Sequence, residues 1–247
     1  MSHVAAPNGD TQFLAIFRDH VTDPLATAIR RVDRERREVT TERDAFATFA
    51  SRVESIPTQS VRVSPSPGPM TIADSPSGSD DALRKAYAET VMAVPHFDPV
   101  YGEAMGENLV AEFGGEFAQL FHDSGGVPFS ATHKQALLQA TQSRVKDRER
   151  FGEALDAERE SLASSREKIE EMLATLDSTS IPVWYADGFR GVIEDVIAGR
   201  QRTIHTRPSQ PHSDGHELCE YLYTTPAWTY PVLTAAGRLL DVITIEA

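Results

Sequence analysis

A chain of 247 residues, 40% apolar and 25% charged, can bury a core as one large domain or two modest ones. Its formal net charge of -13, with no Lys/Arg block free of interleaved Asp and Glu, argues against nonspecific nucleic-acid binding. No apolar run approaches the roughly 20 residues of a membrane span, and the single cysteine, Cys219, excludes an internal disulfide and fits a reducing compartment.

Only four lysines (Lys85, Lys134, Lys146, Lys168) stand against twenty arginines. An acidic, lysine-poor surface keeps a protein hydrated where molar salt screens repulsion, the Debye length falling to about 3 Å. A salt-in halophile's interior is expected, the alternative being arginine enrichment by codon bias in a GC-rich genome. Residues 1–10 carry neither a basic nor an apolar segment of a secretion signal, so they read as a disordered tail and the location as cytoplasmic.

A short amphipathic stretch carries Phe13, Ile16, Phe17 and Val21. Asp23-Pro24 then reads as an N-cap followed by proline at the first helical position, which predicts a helix restarting there. Leu25, Ile29, Val32, Arg36, Val39, Arg43, Phe46, Ala50 and Val53 follow at alternating spacings of four and three, the repeat of a coiled-coil seam. Pro65, Pro67, Gly68, Pro69, Pro76 and Gly78 make residues 57–79 a flexible linker. A small hairpin pairing 61–63 with 70–72 is a minor alternative within it.

Leu83, Tyr87, Val91 and Val94 predict a helix over 80–94, stopped by Pro95. Asp98-Pro99 starts another, with Leu109, Phe113, Phe117 and Leu120 on its apolar face and Gly125-Gly126 at its end. Ser130 caps the longest helix, 131–177, whose seam runs through Leu138, Thr141, Val145, Arg148, Gly152, Leu155, Arg159, Leu162, Arg166, Ile169, Leu173 and Leu176. Seam arginines weaken such an interface and favour the register in which each reaches an acid. Phe189, Val192, Ile193, Val196 and Ile197 mark a short helix limited by Gly199, and 217–223 and 226–245 are helical and aromatic. The fold class is therefore all-α: long coiled-coil helices, as an antiparallel hairpin or bundle, forming a stem over 11–177. A smaller helical cap over 178–247 packs on it.

His205, His212, His216 and Cys219 form the most suggestive chemical cluster. His212 and His216 are four apart, which places two imidazoles on one helix face, and Cys219 three further on could join them around zinc. A closed zinc site needs a fourth ligand, and Pro211, Ser213, Asp214 and Gly215 put His212 in a loop. The competing reading has Asp214 capping the helix, Cys219 buried and the histidines at the surface, so no metal site is assigned. Trp228-Thr229-Tyr230-Pro231 with Trp184-Tyr185 could line a ligand pocket, but such aromatics more often close a core. Glu103, Glu107, Glu112 and Glu116 lack the Glu-x-x-His pairs of a di-iron bundle and read as a solvated acidic face. There is no Gly-x-Ser-x-Gly turn, Gly-x-x-x-x-Gly-Lys loop or Gly-x-Gly-x-x-Gly fingerprint, so no catalytic or cofactor-binding residue is assigned and no enzyme is expected. Gly114-Gly115 and Gly125-Gly126 read as close packing and helix termination.

Three stretches carry a family resemblance. They are Ala88-Glu89-Thr90-Val91-Met92-Ala93-Val94-Pro95-His96-Phe97-Asp98 with Tyr101-Gly102-Glu103, the Asp23-Pro24-Leu25 heptad helix, and Glu220-Tyr221-Leu222-Tyr223 through Trp228-Thr229-Tyr230-Pro231-Val232-Leu233. In these the chain resembles a haloarchaeal family of uncharacterised coiled-coil proteins, a domain of unknown function. The resemblance implies an archaeal salt-in source and brings no assigned activity, cofactor or catalytic residue. The expected role is a structural or protein-interaction one, with self- or partner association through the heptad faces. The alternative is a ligand- or metal-responsive regulator using the C-terminal His/Cys/aromatic segment.

Overall fold

The computed structural model describes residues 9–58, 78–121, 128–178, 186–206, 215–223 and 228–246. Among these every regular element is helical, and no helix is long and apolar enough to cross a membrane. Residues 1–8 of the tail expected over 1–10, the core of the linker at 59–77, Gly125-Gly126, Trp184-Tyr185 and His212 lie outside the described residues, while Gly9 and Asp10 are helical and open the first helix. The chain divides into two compact units, one formed by residues 1–35 with 154–247 and the other by 36–153.

The first helix, α1 (Gly9–Ser55), runs through Pro24 instead of starting there. Proline has no N–H for the carbonyl four residues back, and an interior proline ordinarily breaks the helix. Here Arg238 supplies the missing donor: its Nη1 lies 3.4 Å from the His20 carbonyl and 2.6 Å from His20 Nε2.

Along α1 and the residue after it, Val21, Leu25, Ala28, Val32, Glu35, Val39, Phe46, Phe49, Val53 and Ile56 are buried. With Glu42, whose side chain is 13% exposed, they keep an unbroken four-three alternation. The expected seam holds at Leu25, Val32, Val39, Phe46 and Val53. Its intermediate positions shift by one residue, from Ile29, Arg36, Arg43 and Ala50 to Ala28, Glu35, Glu42 and Phe49. Burying Phe49 in place of Ala50 hides far more apolar surface.

In the unit of residues 36–153, α2 (Gly78–Ala88) ends six residues earlier than expected. The Thr90 hydroxyl donates to the Ala86 carbonyl (2.6 Å) and the Thr90 and Met92 amides both reach the Tyr87 carbonyl, so irregular turns replace the last helical turns. After α3 (Phe97–Val100), the single helix expected next is broken into α4 (Met105–Phe113) and α5 (Gly115–Ala118), followed by a 3-10 turn at Gln119–Phe121. The break is Gly114, at φ +86° and ψ 163°. A Cβ there would meet nothing within 4 Å, so backbone conformation and not close packing explains this glycine. These pieces pack Leu83, Tyr87, Leu109 and Phe121 against Phe46, Phe49 and Val53 of α1 and Leu137 of α6 (Ala131–Ser178). Ser130 caps α6 as expected, its Oγ accepting from the His133 amide at 3.2 Å.

Besides this apolar packing, polar and close contacts join α1 and α6 in this unit. Lys134 Nζ donates to the Glu54 and Ile56 carbonyls, Arg148 pairs with Glu42, and Gly152 lies under Arg36, whose Nη1 would stand 3.0 Å from an added Cβ. Lys134 thereby satisfies carbonyls at the α1 C-terminus.

The other unit joins the first part of α1 and the last part of α6 to α7 (Ala186–Thr206), α8 (Gly215–Leu222) and α9 (Pro231–Glu246). Its core includes Val21, Leu25, Val32, Leu155, Leu162, Ile193, Leu218, Val232 and Leu239. Gly199 does not limit α7, because the turn beyond it buries Arg200 and Ile204. Gly215 starts α8 so close to α7 that a Cβ would stand 2.2 Å from the Ile204 carbonyl oxygen.

Candidate functional site

Carboxylates occupy seam positions where apolar side chains are the rule, and each is met by donors. Glu42 Oε1 accepts from Tyr101 Oη (2.8 Å) and faces His96 Nε2 (2.9 Å), while Oε2 accepts from Arg148 Nε (3.2 Å). Arg148 also grips Glu112 with both terminal nitrogens, at 3.0 and 2.5 Å, and its guanidinium lies 4.6 Å from the Phe46 ring centroid. Burial works against the Arg148 charge, but the hydrogen bonds and negative charges of Glu112 and Glu42 outweigh it and raise its pKa. Glu112 was expected on a solvated face; it is instead the second acid of this buried group. The other three remain near their own helix start: Glu107 accepts from the Ala104 amide, Glu103 from Asn108 Nδ2, and Glu116 is exposed.

In the other unit, Glu158 accepts two bonds from Arg200 (2.9 and 2.7 Å) and one from Tyr223 Oη (2.8 Å). Both members of the ion pair have side chains wholly shielded from solvent. Arg200 reaches Ser161 Oγ at 3.0 Å and Cys219 Sγ at 3.5 Å as well. Burial followed by the negative charge of Glu158 pushes the Tyr223 phenol well above its ordinary range. Buried Glu35 accepts from Tyr221 Oη at 2.5 Å.

Beside this network opens a cleft of about 410 Å³. Its apolar walls are Pro24 and Ala28 of α1, Leu222 and Tyr223, Trp228 and Pro231, and its polar lining is Asp23, Thr27 and Arg31. Arg238 lies over the Trp228 ring, 4.3 Å from its centroid. Arg31 Nε is buried with no hydrogen-bond partner among the described residues.

Of the sequence cluster, His205, His216 and Cys219 are described and His212 is not. His216 Nδ1 lies 3.0 Å from Tyr230 Oη and its ring packs edge-on against His205, whereas buried Cys219 faces Arg200. Among the described residues no three His, Cys, Asp or Glu side chains gather as a metal ion requires. Of the aromatic segment, Trp228 and Pro231 line the cleft and Tyr230 meets His216.

Glu42, Glu158, Arg200 and Arg31 escaped the sequence reading because hydrophobic periodicity assigns charge to the outside. A usable signal existed for one of them: Glu42 lies seven residues after Glu35, and the two follow Val39 and Val32 by three residues each, at the alternate step of the same seam.

Among the described residues, the fold and these buried acid-arginine groups define an all-helical chain with two long helices that bury internal ion pairs. A domain of unknown function, DUF7260, matches residues 23–246, and the chain belongs to that family. No curated protein and no solved structure matches it.

Proposed function

We propose that the protein is a non-enzymatic structural or interaction module in which α1 and α6 form an antiparallel coiled-coil hairpin working in high salt. The carrying observation is the unbroken four-three alternation of positions that the chain itself covers along α1, from Val21 to Ile56. In unit 36–153 the partners on α6 advance from Lys134 to Arg148 to Gly152 as those on α1 retreat from Glu54 to Glu42 to Arg36. A charged pair in such a seam costs stability and fixes register. Because the seam is covered internally, a partner is met by another face. The acidic surface favours protein partners over nucleic acid. Reconstitution in molar KCl with a partner recovered from native-salt extract tests this. A saturable complex of fixed stoichiometry is expected, and catalytic turnover by the purified chain alone overturns it.

A second reading, a ligand-responsive regulator using the C-terminal aromatic segment, draws support from the cleft at Trp228. Its volume falls within the roughly 300–1,000 Å³ of ordinary small-molecule sites. Titration of Trp fluorescence with small molecules tests it, and a Trp228→Ala variant responding like the parent chain counts against it.

A further inference from the structure

We propose that the cleft beside Trp228 binds a small apolar carboxylic acid, its carboxylate on Arg31 and its apolar body against Pro24, Leu222 and Trp228. This rests on the second reading above and names its ligand.

Three observations converge. The walls are largely apolar, contributed by Pro24, Ala28, Leu222, Trp228 and Pro231, and so favour a ligand with a hydrocarbon or ring body. Within them sits one cation among the described lining residues, Arg31, and its Nε is buried with no acceptor. A guanidinium fork matches a carboxylate in two-pronged geometry, and Arg31 lines the cleft. Arg238 is already engaged by the Trp228 ring and by His20, so among the described residues the acid falls to Arg31.

Asp23 sets the direction. It lies two helical turns before Arg31 on α1, about 12 Å along the axis at 1.5 Å per residue, and its side chain is exposed. An anion at that end would be repelled, so the head group lies at Arg31 and the apolar tail runs toward Asp23. A body of about eight carbons spans most of that distance. A dicarboxylate of the same length places its second charge against Asp23 and is disfavoured.

Octanoate, 1-octanol and octylammonium, titrated calorimetrically into the full chain in molar KCl, separate the alternatives. Octanoate is expected to bind one to one and at least about tenfold tighter than octanol, the usual advantage of a charge-assisted hydrogen bond. Arg31→Gln should erase that preference while retaining weak binding of both. Thr27→Phe, which fills the mouth from an exposed position, should abolish binding with helicity unchanged. Octanol binding as tightly as octanoate, or octylammonium binding best, overturns the carboxylate assignment and leaves a ligand site standing. If none of the three binds, and Trp228 fluorescence is unmoved, both the assignment and the ligand reading fall.

Discussion

Arg200 holds Glu158 by two parallel hydrogen bonds, Nη1 to Oε2 at 2.9 Å and Nη2 to Oε1 at 2.7 Å, with neither side chain reaching solvent. Such a pair adds little net stability but is expensive to break from one side, since the survivor keeps its charge in a low-dielectric interior. Arg200→Met should therefore cost about 3–5 kcal/mol. The double variant Arg200→Met/Glu158→Leu should recover most of that loss. Urea unfolding followed by circular dichroism at constant high salt reads both. A double variant no more stable than Arg200→Met would show that the arginine works by packing and not by neutralising Glu158.

The Pro24 position allows a second test. Pro24→Ala restores the amide that the His20 carbonyl lacks and removes the ring, so α1 should gain stability, by up to about 3 kcal/mol less the roughly 0.4–1 kcal/mol that proline saves in the unfolded chain. Arg238→Ala removes the substitute donor and the contact with Trp228. In the Pro24→Ala background that second loss should shrink, because the carbonyl no longer depends on Arg238. A thermal-denaturation cycle over the four proteins measures the coupling, and strict additivity counts against it.

The elements whose legibility was highest are those where spacing alone decides. The four-three rhythm found the long helices and half of the α1 seam, and Ser130 was visible as a cap. It could not choose between neighbouring positions such as Ile29 and Ala28, since either fits a three-residue step. It also gives no reason to bury Glu42 and Glu158, because nothing local announces that His96, Tyr101, Arg148, Arg200 and Tyr223 converge on them from remote parts of the chain. Asp23-Pro24 misled for a similar reason: the donor rescuing the helix comes from residue 238. Trp228 reads from sequence more as a core residue than a pocket one, and nothing local to Arg31 marks it as lining the same cleft.

Two glycines on or beside one short helix should respond in opposite senses. Gly114 holds φ +86° with an extended ψ, a region nearly closed to residues with a Cβ. Gly114→Ala should therefore destabilise by about 1–3 kcal/mol. Gly106 lies inside α4, where an added methyl meets nothing within 4 Å, so Gly106→Ala should stabilise by about 0.5–1 kcal/mol. Denaturant midpoints of the two variants decide, and equal shifts would mean that Gly114 does not need its left-handed conformation.

The buried phenols predict where alkali acts. Burial, then the negative charge of Glu112 for Tyr87 and of Glu158 for Tyr223, raises both above the ordinary phenol range. The folded chain thus keeps protons that the unfolded chain releases near pH 10. Their contribution is fully present below about pH 10 and is lost as pH rises beyond it, by about 1.4 kcal/mol per phenol for each pH unit. Phenolate absorbance should accordingly appear together with loss of helicity, not ahead of it, for these two residues. Tyr223→Phe costs the bond to Glu158 at neutral pH, yet should reduce the steepness of the alkaline limb by one proton. If the slope is unchanged, Tyr223 ionises as freely in the folded chain as in the unfolded one, and its shielding beside Glu158 is not what the geometry implies.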